Sequence, residues 1–144
     1  MSEPVRASEH QPVEDVSDET ARGVGKLSEA FEYIERAKGH LYSFHQLMGR
    51  ADLLVGEAAE VLRAEGYTEF ADRLSTELVG RNVLDGRWTF QIVEEFDDTY
   101  YDYFRRTEID ARSLTGGVRH LHEARMKERR RTEGQPHHDE DPEG

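Results

Sequence analysis

Apolar residues recur along the first half of the chain at steps of three, four and seven: Leu27, Phe31, Ile34, Leu41, Met48, Val55 and Leu62. That is the spacing of one helical face, and no proline interrupts it before Gly66. The pattern predicts one very long helix, or two collinear ones, from Leu27 to Gly66. At about 1.5 Å per residue such a rod reaches roughly 58 Å, against a radius of gyration near 13 Å for about 100 compact residues. It therefore either bends near Gly49 or Gly56 or is covered by a second subunit.

A helical wheel places Ala30, Ala37, Leu41, Phe44, Met48, Ala51, Val55, Ala59 and Leu62 in one arc, with Glu32, Glu35, Glu57 and Glu60 away from it. Leu47, Leu53, Leu54 and Val61 fall outside the arc and give the helix a second apolar side. Residues 47–62 are accordingly expected at the centre of a bundle or at an interface between subunits.

Punctuation residues divide the rest. Gly23 and Gly25 precede the long helix, with Ser28 a candidate N-cap, and Gly66 suits the left-handed position that closes a helix. Thr68 can cap a second helix from Glu69 to Val79 with Phe70, Leu74 and Leu78 inward. Gly80 and Asn82 to Gly86 form a turn, with Asp85 or Thr89 the next cap. A third helix from Trp88 to Leu114 sets Trp88, Ile92, Phe96, Tyr100, Tyr103 and Thr107 in one arc, joined by Val93, Phe104, Ala111 and Leu114. Gly116-Gly117 ends it. A basic segment from Val118 to Arg131 carries a net +4. The fold class expected is all-α, a helical bundle of three long helices plus a short basic C-terminal helix.

Composition changes the picture at the ends. The 144 residues suit one domain, and the chain is 35% apolar and 35% charged with a net charge of −12. Residues 1–25 carry a net −4 and residues 133–144 a net −5. These read as a disordered acidic leader and a disordered acidic tail around a bundle at 26–132. The negative field opposes general binding to nucleic acid or anionic membranes. With no cysteine there is no disulfide framework, thiolate metal site or thiol nucleophile. No stretch is apolar enough to span a bilayer or serve as a signal peptide, so a cytoplasmic location is expected. Arginine outnumbers lysine 16 to 3, which suits the genome composition of a bacterium.

Candidate chemistry is sparse. A carboxylate-bridged metal site in a bundle needs a Glu-x-x-His pair on one face. Ala37, Tyr42, Gly117 and Arg119 stand three places before His40, His45, His120 and His122, so the motif is absent. Only His40, His45 and Asp52 are ionisable within or beside the long apolar arc. They are the metal-ligand candidates if there are any, and the plainer reading is a polar layer that fixes register. His45 and Asp52 lie roughly 10 Å apart along the axis, so each needs a partner from elsewhere; antiparallel self-association is one source.

Glu94, Asp98 and Asp102 form a like-charge ladder opposite the apolar arc of the third helix. Arg105 and Arg106 answer only its last rung. The arginines of the terminal segment, Arg119, Arg125 and Arg129 among them, are candidates to lie across this ladder as an interaction surface, with nucleic acid an alternative use and an exposed arginine helix with no tertiary role the plainest reading of the three. The pair His137-His138 in the acidic tail is composition more than a site. Phosphate loops, nucleophile elbows and HExxH are absent, and no catalytic residue or cofactor is assigned. These observations point to an oligomeric, non-enzymatic interaction or accessory protein, most simply a homodimer. A histidine and carboxylate metal-binding bundle or enzyme, and a nucleic-acid-associated protein, are the alternatives.

Overall fold

The computed structural model describes residues 15–139. It is all-α: helix α1 (Asp18–Ala64), α2 (Thr68–Arg73), α3 (Thr89–Phe96), α4 (Asp102–Ala111) and α5 (Leu121–Arg130). A π-helical turn, Leu74–Leu78, prolongs α2, and a second, Asp97–Tyr101, joins α3 to α4. A 3-10 turn, Arg112–Thr115, ends α4, so helix is continuous over 89–115. The described residues divide into two compact units, one of residues 15–33 and 102–139 and the other of Ile34–Tyr101.

The first helix starts earlier than its apolar pattern suggests. Ser17 is the N-cap, its Oγ accepting the Thr20 N–H at 3.0 Å, and Asp18 and Glu19 favour the positive end of the helix dipole. Of the expected acidic leader, residues 1–14 lie outside the described residues, and Asp18 to Gly25 are helix. Gly23 and Gly25 are therefore interior. Gly25 has a packing reason: a Cβ there would stand 2.9 Å from His122 Cβ, so its lack of a side chain lets α5 approach. Ser28, the expected cap, instead donates to Glu108 Oε1 at 2.9 Å. Helix is assigned without interruption through Gly49 and Gly56.

In the unit built from residues 15–33 and 102–139, Phe31 stacks on Phe104 with ring centroids 5.8 Å apart. Ala21, Leu121 and the Thr115 side chain are buried. Gly116 and Gly117, with φ of 65° and 80°, make the turn into α5. The Arg131 guanidinium meets Asp139 at 3.2 Å and the Thr132 N–H donates to His138 Nδ1 at 3.1 Å. Of the expected acidic tail, residues 140–144 lie outside the described residues.

In the unit of residues 34–101, α1 closes as its glycine predicts. The Tyr67 N–H donates to the Leu62 carbonyl at 3.0 Å and the Gly66 N–H to the Arg63 carbonyl at 3.1 Å, with Gly66 at φ 94°. This is the Schellman arrangement. Thr68 is the first residue of α2 and not its cap, which is Tyr67. Asp85 and Thr89 do not cap α3 either: Trp88 does, its N–H donating to Gln91 Oε1 at 3.0 Å. Phe70 and Leu78, expected inward, are exposed.

The largest departure lies in the third helical rod. A π turn spends one extra residue per turn, so positions after Phe96 rotate by about 100° relative to an α-helix. Tyr100, Tyr103, Thr107 and Leu114, expected inward, are exposed. Tyr101, Glu108 and Thr115 face inward in their place, beside Phe104 and Ala111, whose inward position the spacing predicts.

Candidate functional site

Along α1 the side chains that turn inward between residues 31 and 62 alternate between two columns seven residues apart. One column is aliphatic, Ile34, Leu41, Met48, Val55 and Leu62, and none of these is fully exposed. The other holds Phe31, Lys38, His45, Asp52 and Ala59. Three successive members of the second column are polar, and each finds its own partner within residues 34–101. Lys38 Nζ lies 3.2 Å from Asp97 Oδ1 and 4.0 Å from the centroid of the Tyr101 ring. His45 Nδ1 lies 2.6 Å from Thr89 Oγ1. Asp52 Oδ1 accepts the Gly80 N–H at 2.8 Å.

Each contact anchors a different segment on α1: the second π turn, the start of α3 and the bend after the first π turn. His45 and Asp52 thus have the outside partners their spacing demands, and this chain supplies them. Burial alone would push the Lys38 ammonium down. The hydrogen bond to Asp97, with the nearby Tyr101 and Asp97 charges, outweighs that and holds its pKa above the ordinary value. Tyr101 also donates its hydroxyl to Glu35.

Asp52 and Thr89 open onto a recess of about 520 Å³. Met48 and Val55 line it from α1, and Leu78, Val83, Trp88 and Phe90 from the segments opposite. Trp88 is 59% exposed. Asp52, Arg81 and Asn82 add a carboxylate, a guanidinium and an amide to these apolar walls. A largely apolar concavity with a few polar groups can hold one bulky side chain or a small amphipathic molecule. The Thr89 and His45 pair has the reach of a nucleophile and its base. Among the described residues no third group holds His45 Nε2, which that chemistry requires. The pair fixes where α3 begins.

His40 faces away from this column and is exposed. It does not join His45 and Asp52, and among the described residues no three His, Asp or Glu side chains gather closely enough to hold a metal ion. Glu94 and Asp98 are exposed without an ion-pair partner among the described residues, whereas Asp102 has Arg106 at 3.0 Å and Arg105 at 3.9 Å. The cations of α5 turn to the start of α1. Arg125 Nη1 donates to Asp18 Oδ1 at 2.8 Å and its Nη2 to the Val16 carbonyl at 3.0 Å, while Arg129 lies 3.8 Å from Asp18. Arg119 is exposed.

Two polar clusters escaped the sequence reading. Lys38 was detectable as the third member of a seven-residue series with His45 and Asp52. Glu108, only 5% exposed, was not, because the π turn brings it inward. It accepts from Arg112 Nη2 at 2.6 Å, from Arg112 Nε at 3.3 Å and from Ser28 Oγ at 2.9 Å. Burial alone would raise the Glu108 pKa. The Arg112 and Ser28 hydrogen bonds, together with the Arg112 and His120 charges, prevail and hold it below the ordinary 4.5.

On its exposed side α1 carries a second apolar seam. Ala37, His40, Phe44, Leu47, Ala51, Leu54, Ala58 and Val61 follow one another at alternating steps of three and four, and all are exposed. Leu47 is 66% and Val61 64% exposed. The expectation that residues 47–62 sit at the centre of a bundle is not met within this chain, because that side of the helix faces solvent. Among the described helices none is long and apolar enough to cross a membrane. Comparison with family models, with curated proteins and with solved structures yields no match.

Proposed function

We propose that the protein is a non-enzymatic helical interaction protein that works as a homodimer, with α1 the dimerisation element and the recess beside it a second contact surface. The observation that carries this reading is the distribution of apolar side chains. Among the described residues the buried apolar ones are Ala21, Ala59, Ala71, Val93 and Leu121, while Leu47, Leu53, Leu54, Val61 and Trp88 are all exposed. Burying a Leu or Val side chain stabilises by about 1.5–3 kcal/mol. Leaving so many in water beside so small a core favours association, since a contiguous exposed apolar patch marks a contact surface.

The polar features support the same reading. Lys38, His45 and Asp52 are each engaged by a neighbouring segment, which suits a register-setting column. Arg125 and Arg129 are spent on Asp18, which argues against a phosphate-reading helix.

The test is the mass in solution of the wild-type chain and of Leu47→Ser/Leu54→Ser. The wild type is expected to sediment as a dimer at micromolar concentration. The variant is expected at half that mass with its helical circular dichroism retained. A wild-type chain that is monomeric at that concentration and unfolds cooperatively overturns the reading.

A further inference from the structure

The second seam on α1 carries information about what covers it. Its two columns differ in size: His40, Leu47, Leu54 and Val61 in one, Ala37, Ala51 and Ala58 with a single large residue, Phe44, in the other. In a parallel pair, like positions face each other, so layers of two leucines alternate with layers of two alanines. One interhelical distance cannot suit both. In an antiparallel pair each column faces the other, and a large side chain meets a small one in every layer that does not hold Phe44. The seam is therefore better matched to itself when reversed.

Charge chooses between registers. Residues 36, 43, 50 and 57 flank the seam on one side. If the local twofold axis passes between His45 and Gln46, Arg36 of one copy lies across from Glu57 of the other, twice over. Moving the axis to Gly49 sets Arg50 against Arg50 and loses both attractions. All four flanking positions are exposed.

We propose that residues 37–54 of α1 pack antiparallel against the same segment of a second copy, in the register that sets Ala37 against Leu54, His40 against Ala51 and Phe44 against Leu47. This rests on the homodimer reading and specifies its geometry. It also brings His40 of the second copy over Ala51, which lines the recess that holds Asp52.

The chain has no cysteine, so single thiols report contacts without background. Ala37→Cys and Leu54→Cys are oxidised separately and as a mixture, one of them mass-tagged. The expected result is a disulfide-linked heterodimer from the mixture and little linkage from either variant alone. Strong linkage of each variant with itself means a parallel pair and overturns the proposal. A chain that sediments as a dimer but links in no combination pairs through another surface, which overturns the geometry and leaves the homodimer reading standing.

A second measurement avoids the seam itself. Arg36→Glu and Glu57→Arg are each expected to weaken dimerisation about tenfold, and an equimolar mixture of the two to recover it as a heterodimer. Failure of the mixture to recover overturns the register.

Discussion

Glu108 shows how a single charged side chain can be buried among helices. Its carboxylate is gripped by both arms of Arg112 and by the Ser28 hydroxyl, which replaces the hydration lost on burial. Because its folded pKa is depressed, the sign of the linkage is fixed. The stabilisation is present above the ordinary carboxylate pKa and is lost as pH falls through the lower, folded value. Glu108→Gln keeps the shape but not the charge, and is expected to cost about 1–3 kcal/mol at neutral pH. Urea unfolding as a function of pH checks this. The gap between wild type and variant should close as pH drops below about 4.5, and a gap that stays constant to pH 3 would show that the charge contributes nothing.

At the scale of elements, the two π turns decide how far the sequence could be read. The all-α class, the Gly66 closure, the Gly116-Gly117 stop and the two-sided character of α1 were legible, because they follow from glycine conformations and a regular period. Beyond Phe96 the inward set of the third rod was legible only in part, at Phe104 and Ala111. A wheel drawn at 100° per residue has no provision for an extra residue, so it also places Tyr100, Thr107 and Leu114 inward where the chain uses Tyr101, Glu108 and Thr115. The start of α1 was misplaced because Gly23 and Gly25 look like breakers until the approach of His122 to Gly25 is known. The candidate site was half legible: His45 and Asp52 stood out as polar residues beside an apolar arc, but their partners Thr89 and Gly80 are distant in sequence.

The π turn at Asp97–Tyr101 supplies a test of its own. Deleting the exposed Asp98 removes the surplus residue and lets an ordinary α-helix present the same inward faces. That deletion is expected to change stability by no more than about 1 kcal/mol. Deleting Arg105, beyond the turn, rotates everything after it and should abolish cooperative unfolding, which thermal melts followed by circular dichroism will resolve. Equal damage from both deletions would mean that the turn is not a simple insertion.

For the whole molecule the dominant quantity is a net charge of −12 on each copy. In the proposed dimer two such bodies repel at long range while the seam attracts at contact, so the balance depends on ionic strength. Raising salt from about 0.01 M to about 0.15 M shortens the screening length from roughly 30 Å to 8 Å. The proposed dimer should therefore tighten over that interval, although the proposed Arg36 and Glu57 attractions weaken slightly. Sedimentation at several salt concentrations measures this. A dimer that loosens steadily with salt would show that ion pairs, and not the apolar seam, hold it together.

The column formed by Lys38, His45 and Asp52 behaves like the cuts of a key. A cation meets an acid, an imidazole meets a hydroxyl and a carboxylate meets an amide N–H, at intervals of seven residues on α1. Loss of a whole heptad from α1 would preserve the greasy stripe and still turn the wrong tooth to every ward. Exchange of one aliphatic residue for another in the inward column of this helix leaves these three pairings in place, whereas a change of its length in this region breaks them.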